Sequence, residues 1–483
     1  MRRMLPVLVA VPLLVSGAGP GAVGAVLPPG PAAVRAGPVL AGPATSAPLP
    51  TTAGLGTALG PLLADPALGP AVGAVVLDGL TGTVLLDRDS QLPRVPASVA
   101  KLVTAAAALV ALGPQRVLET RVVEGGAPGE IVLVGAGDPT LTAAVQPPED
   151  YPTDASLAEL AAQTAAALRP AQTAAASPAP SAAPPTPAPP PSPAPPPAPL
   201  TPPPTTPPPV VIRVDDSLFA GPPVNPAWET SYLATGAVAP VSALAVDGGR
   251  TVPGGRARSP DPALAAGRAF ADLLRATGLP VAPEVTRAVS PPRARELASV
   301  ASPTIAVIVE QTLRTSDNDI AEALLHLAAA ERGVPATATG GAESVAAVLA
   351  ERTLPAPAAL LDGSGLARGS RISPAALAQL LVAAGGRERA DLWPLVTGLP
   401  VAAFSGTLAD RFGGATPGPG AGFVRAKTGT LTGVNSLAGV VEDADGRLLV
   451  FAVLADAVPA TGSGSARVAL DRIGATLAAC GCR

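Results

Sequence analysis

Pro96-Ala97-Ser98-Val99-Ala100-Lys101-Leu102-Val103-Thr104-Ala105-Ala106-Ala107-Ala108-Leu109-Val110-Ala111-Leu112-Gly113-Pro114 is the stretch whose reading decides the fold. It predicts a helix over Ser98–Leu112, entered after Pro96 and stopped at Gly113-Pro114. The helix is apolar almost all round, so it must be buried between other layers. Ser98 and Lys101, at i and i+3, share one face about a turn apart. A serine hydroxyl is a poor nucleophile until a neighbouring base takes its proton. A desolvated, neutral lysine is the obvious base here, because no usable histidine lies nearby in sequence. Ser98 would also sit near the helix N-terminus, where unpaired N–H groups favour a developing oxyanion.

The chain spends lysine sparingly. Thirty of its 32 basic residues are arginine, and the two lysines are Lys101 and Lys427. A lysine can lose its proton when buried, and a guanidinium cannot. Lys427 opens Lys427-Thr428-Gly429-Thr430, a strand-like segment with one cation and two hydroxyls that suit a substrate carboxylate. Gly429 would let a substrate backbone approach that strand. The Thr430 N–H would complete an oxyanion hole with that of Ser98. Between the lysines lies Ser316-Asp317-Asn318. Ser316 would relay a proton to the leaving amine, and Asn318 would orient Lys101 and the substrate's peptide bond. Each motif alone occurs by chance in many proteins. Together, in this order, they use both lysines and one of only three asparagines.

Composition narrows the class. Aromatic residues are scarce, so the core must be Val, Leu and Ala. A net charge of −4 without basic runs offers no nucleic-acid groove. One histidine and two cysteines furnish no structural zinc site, and no cofactor is expected. Cys480 and Cys482 read as a frayed tail, with a strained bridge as the competing reading.

Residues 1–25 read as a secretory signal, with Arg2 and Arg3 before the apolar stretch Leu5–Val15. This puts the body outside the cytoplasm, secreted and cell-wall associated. An uncleaved stretch would instead give peripheral or N-terminal membrane association. Residues 26–57 form a Pro/Ala/Gly-rich linker. Ala71–Asp78 and Thr83–Asp87 read as a hairpin around Gly79-Leu80-Thr81-Gly82. Further helices are expected over Ala155–Leu168, Ala263–Thr277, Thr304–Leu313, Asp319–Arg332 and Ser465–Ala479. Strands are expected over Val210–Val214, Val424–Leu431, Val434–Glu442 and Arg447–Leu454. The Pro-rich tract 177–209 favours extended chain and packs no core.

At this point the chain resembles the D-alanyl-D-alanine carboxypeptidases/endopeptidases, the class C low-molecular-mass penicillin-binding proteins. Besides the three motifs, the resemblance rests on Gly135-Ala136-Gly137-Asp138-Pro139-Thr140-Leu141, Val214-Asp215-Asp216-Ser217-Leu218-Phe219 followed by Trp228, Pro240-Val241-Ser242-Ala243-Leu244, and Asp362-Gly363-Ser364-Gly365-Leu366 with Ser373-Pro374. It implies an α/β (α+β) fold with a β-lactamase/transpeptidase-like domain, an antiparallel sheet flanked by helices. That domain is expected over 58–123 and 290–483, split by one or two inserted lobes over 124–289. It implies acyl-enzyme chemistry on peptidoglycan stem peptides ending in D-Ala-D-Ala, with β-lactams as covalent inhibitors. The catalytic residues would be Ser98, Lys101, Ser316 and Asn318. The substrate-binding residues would be Lys427, Thr428, Gly429 and Thr430, with Lys427 a permanent cation. His326, Asp317, Ser364, Trp228 and Tyr232 read as packing or turn residues. Two alternatives share the motifs. One is a β-lactamase, disfavoured by the long insert and by the lack of a Glu-x-x-x-Asn element. The other is a β-lactam-sensing or cell-wall-binding protein that acylates and turns over slowly.

Overall fold

The computed structural model describes residues 46–147, 151–176, 208–413 and 418–483. The signal stretch and most of the Pro-rich tract lie outside the described residues. Ten strands run in chain order as β1 Val72–Asp78, β2 Val84–Arg88, β3 Glu119–Glu124, β4 Glu130–Val134, β5 Val210–Asp215, β6 Val281–Arg287, β7 Glu296–Ala301, β8 Val424–Leu431, β9 Val434–Glu442 and β10 Leu448–Ala455.

They form two five-stranded sheets. The first, in the order β2-β1-β10-β9-β8, is antiparallel throughout. Its central strands β1, β9 and β10 are buried on both faces, and the period of two sorts their side chains into two cores. Leu449, Phe451, Val453 and Ala455 of β10 face one way, packing with helices Thr52–Leu63 and Ser463–Ala479. Val450, Ala452 and Leu454 face the other way, into a core built on helix Lys101–Leu112 and its neighbours Ile305–Thr315, Asn318–Glu331 and Pro374–Gly385. Each such buried Leu, Val or Phe contributes about 1.5–3 kcal/mol. At one end of the sheet, Arg447 Nε and Nη2 each donate at 2.7 Å to the Asp78 carboxylate, tying β1 to the β9–β10 turn.

The second sheet, β6-β5-β4-β3-β7, is mixed. β4, β5 and β6 run parallel, and β3 is antiparallel to β4 and β7. Helices Leu157–Ala176 and Pro262–Ala276 cover it, with Leu160, Phe270 and Leu274 in the shared core.

The structure departs from the sequence expectations in four places. Residues 52–57 belong not to a linker but to helix Thr52–Leu63, capped by Thr51 and held by Leu55, Leu59 and Leu63. The second sheet reaches outward to β3 and β7, so boundaries at 124 and 289 fall inside it. The buried helix begins with a 3-10 turn over Ala97–Ala100 and becomes α-helical at Lys101. The C-terminal tail is not frayed. Cys480 and Cys482 are paired, Thr51 N–H donates to the Cys482 carbonyl at 2.8 Å, and Cys480 is buried in the core under the sheet.

Candidate active site

The three motifs converge from three elements. Ser98 lies in the 3-10 turn, one residue after Ala97, whose φ of 50° is left-handed. A non-glycine residue holds that conformation only where its surroundings over-determine it. Here β8 and a loop fix the turn. A Cβ on Gly429 would sit 2.7 Å from the Pro96 carbonyl, and one on Gly365 would sit 2.0 Å from the Ala97 carbonyl. Ser436 Oγ donates to the same Pro96 carbonyl at 2.7 Å. The missing side chain of Gly429 therefore makes room for the Ser98 turn. The expected purpose, room for a substrate backbone, does not account for this contact.

Lys101 is fully buried. Its Nζ lies 3.1 Å from Ser98 Oγ, donates to Asn318 Oδ1 at 2.7 Å, and donates to the Ser364 carbonyl at 2.8 Å. Asn318 starts helix Asn318–Glu331, and Asp317 caps that helix by accepting from Ile320 N–H at 3.1 Å. The other end of the Asn318 amide donates from Nδ2 to the Ala237 carbonyl at 2.8 Å, so both ends of the side chain have protein partners.

Ser316 ends the preceding helix in a left-handed conformation, φ 60° and ψ 33°. Its Oγ accepts from Lys427 Nζ at 2.7 Å, and Nζ also donates to the Thr428 carbonyl at 2.9 Å. Lys427 is as buried as Lys101. The strand carrying it, β8, is at the edge of the first sheet. Thr428 Oγ1 donates to Thr407 Oγ1 at 2.9 Å. Thr430 is exposed on the same strand.

Burial lowers the proton affinity of both lysines, by removing water from the charged form. Lys101 comes down to about 8, with Asp362, Glu322, Asp317 and Asp319 partly offsetting the burial. Lys427 falls well below its ordinary value, through burial and then through repulsion by Lys101. Among the described residues neither lysine forms an ion pair with a carboxylate, but the charges of Asp362, Glu322, Asp317 and Asp319 act on Lys101 from farther off, and none is resolved acting on Lys427.

Sequence reasoning underrated four residues. Ser364, read as a turn residue, supplies the third hydrogen-bond partner of Lys101. Trp228, read as packing, donates its indole N–H to Asp362 at 2.9 Å. Glu322 and Asp362 were passed over as charges, though Asp362 opens the Asp-Gly-Ser-Gly-Leu segment already noted. His326 matches its packing reading: it is buried and its ring lies tilted against Phe219, with the ring centroids 5.1 Å apart.

The model of the D-Ala-D-Ala carboxypeptidase 3 (S13) family matches residues 55–168 and 254–477. A carboxypeptidase of Mycobacterium tuberculosis is 37% identical over 94% of this chain and 90% of its own length. Carboxypeptidase DacB of Mycolicibacterium smegmatis is 35% identical over the same shares, 94% and 90%. The crystal structure of penicillin binding protein 4 from Haemophilus influenzae covers 88% of this chain and 98% of its own, with a TM-score of 0.62 at 20% identity.

Proposed function

The chain belongs to the D-Ala-D-Ala carboxypeptidase 3 (S13) family, a hydrolase family, and from that premise we propose that it releases the terminal D-alanine of peptidoglycan stem peptides through an acyl-enzyme on Ser98. The observation that carries this reading is the 3.1 Å separation of Ser98 Oγ from a fully buried Lys101 Nζ.

In the proposed reaction, neutral Lys101 takes the Ser98 proton as Oγ attacks the penultimate D-Ala carbonyl. The N–H groups of Ser98 and Thr430 receive the oxyanion. Ser316, hydrogen-bonded to Lys427, relays to the departing D-Ala amine the proton that Lys101 took from Ser98, which leaves Ser316 a hydroxyl and Lys101 neutral; Lys101 then takes a proton from the water that attacks the ester and returns it to Ser98 as the acyl group leaves. Asn318 keeps Lys101 aimed at Ser98. Lys427 and the exposed Thr430 hydroxyl bind the substrate carboxylate, with Thr428 and Gly429 shaping the strand between them. A β-lactam would meet the same nucleophile, and a second structure of the Haemophilus protein is a β-lactam complex. The second sheet and its helices serve as one inserted lobe of the catalytic domain. Endopeptidase cleavage of D-Ala cross-links uses the same steps. Peptidoglycan chemistry places the action outside the cytoplasm. No helix among the described residues is long and apolar enough to cross a membrane.

The test is release of free D-Ala from a diacylated Lys-D-Ala-D-Ala tripeptide, with Ser98→Ala as control. Release by the native protein and none by the variant is expected. Protein that labels with a fluorescent penicillin but frees no D-Ala would sink the carboxypeptidase reading in favour of a sensor. Rapid penicillin turnover would favour a β-lactamase.

A further inference from the structure

Beside Lys101 lies a buried junction that the reaction above does not use. Ser364 is at its centre. Its carbonyl accepts from Lys101 Nζ at 2.8 Å, its N–H donates to Glu322 Oε1 at 2.8 Å, and its hydroxyl donates to Asp362 Oδ2 at 3.1 Å. One turn along the lysine helix, Thr104 Oγ1 donates to the Gly363 carbonyl at 2.9 Å, fixing the same loop. Ser364 and Asp362 are fully buried, and Glu322 is nearly so.

The two carboxyl groups are not equivalent. Four donors converge on Asp362: Gly365 N–H at 3.1 Å, Ala367 N–H at 2.7 Å, Trp228 Nε1–H at 2.9 Å and the Ser364 hydroxyl. Glu322 Oε2 is buried with no partner. Burial, and then the charge of Asp362, push Glu322 toward its neutral form. The donors thus gather on Asp362, while one buried oxygen of Glu322 has none. Other charged groups face Lys101 as well: Asp317 and Asp319 from the second-motif helix, and Lys427 from β8.

We propose that Asp362 is a positioning residue for acylation: acting through Ser364, it fixes Lys101 beside Ser98 and supplies the buried negative charge that faces the lysine. The proposal rests on the reading of Lys101 as the base. Without the charge, Lys101 would give up its proton at lower pH, and without the turn its amine would lose an acceptor.

The experiment measures second-order acylation by a chromogenic or fluorescent penicillin from pH 5 to 10, on the full chain. Glu322→Gln removes the group able to ionise in place of Asp362, so Asp362→Asn is compared within that background. The single Glu322→Gln variant is expected to keep the acid limb within about 0.3 pH unit of the native profile. Adding Asp362→Asn is expected to move the limb down by about one unit, a tenfold change in proton affinity. A folded double variant that acylates slowly with an unmoved limb would overturn the proposal, because a purely structural role lowers the rate without moving the profile. Should the double variant fail to fold, Glu322→Gln decides alone. An unmoved limb supports Asp362 as the charge, and a shift of about one unit assigns the charge to Glu322 and overturns the proposal. The base assignment fails separately: an acylating Lys101→Arg variant would remove it, whatever Asp362 does.

Discussion

Lys427 Nζ lies 2.7 Å from Ser316 Oγ, and neither group meets a carboxylate in the described structure. The amine of the third motif is thus buried without a counter-ion among the described residues. Burial and the charge of Lys101 together hold its proton affinity well below 10.5.

Binding a carboxylate should therefore load Lys427 with a proton. An anion beside a buried amine favours the charged form. The sign is uptake on binding, over pH values between the depressed proton affinity of Lys427 and its ordinary one. Calorimetric titration with a D-Ala-D-Ala peptide on the Ser98→Ala variant, in buffers of different ionisation enthalpy, should show net proton uptake. Lys427→Met should lose both the uptake and most of the affinity. Binding without proton exchange at any pH would mean that Lys427 is already charged.

The rate of acylation should rise with pH through about 8, where Lys101 becomes neutral. Below that point it should fall about tenfold per unit, following the neutral fraction. Lys101→Arg should lose at least about 10²-fold, since guanidinium does not deprotonate in this range. Penicillin labelling across pH, read beside the melting temperature, checks both. A flat profile from pH 6 to 9 would put the base elsewhere.

Gly429→Ala should damage the nucleophile from a distance. The added methyl would stand 2.2 Å from Ser436 Oγ and 2.7 Å from the Pro96 carbonyl. Overpacking of this kind costs about 1–3 kcal/mol. It would also push on the strained Ala97 turn that carries Ser98. A lowered melting temperature together with slower penicillin labelling is expected. Thr430→Ser, one residue away and exposed, should leave the melting temperature unchanged. Normal labelling by Gly429→Ala would show that the turn tolerates displacement.

Much of the first sheet was legible in sequence. β1, β9 and β10 are largely apolar runs bounded by turn residues, β8 carries the Lys-Thr-Gly-Thr motif, and the structure shifts the ends of these four by at most a residue or so. The second sheet was mostly not. β6 carries Pro283 and is at best half-buried, and β3 is exposed at Glu119, Arg121 and Glu124. Their pairing is a property of the sheet and not of either segment. Helix Ala338–Glu351 also escaped notice, because Gly340-Gly341 reads as a breaker. Its packing supplies the reason for one of these glycines: a Cβ on Gly341 would sit 2.5 Å from Leu325 Cγ.

The sequence alone determined which residues could do chemistry. A Ser and a Lys one turn apart on an apolar helix, a Ser-x-Asn, and a Lys-Thr-Gly holding the other lysine define a nucleophile, a base, a relay and a cation before any fold is known. It could not determine how the two lysines divide their protons, because that depends on groups brought close only by folding. Asp362 and Glu322 lie hundreds of residues from Lys101 in sequence yet meet it through Ser364. Lys427 receives no such carboxylates. Electrostatic energy in a desolvated site follows distance in space, so only the tertiary structure decided which buried amine keeps anionic company and which waits for the substrate to bring it.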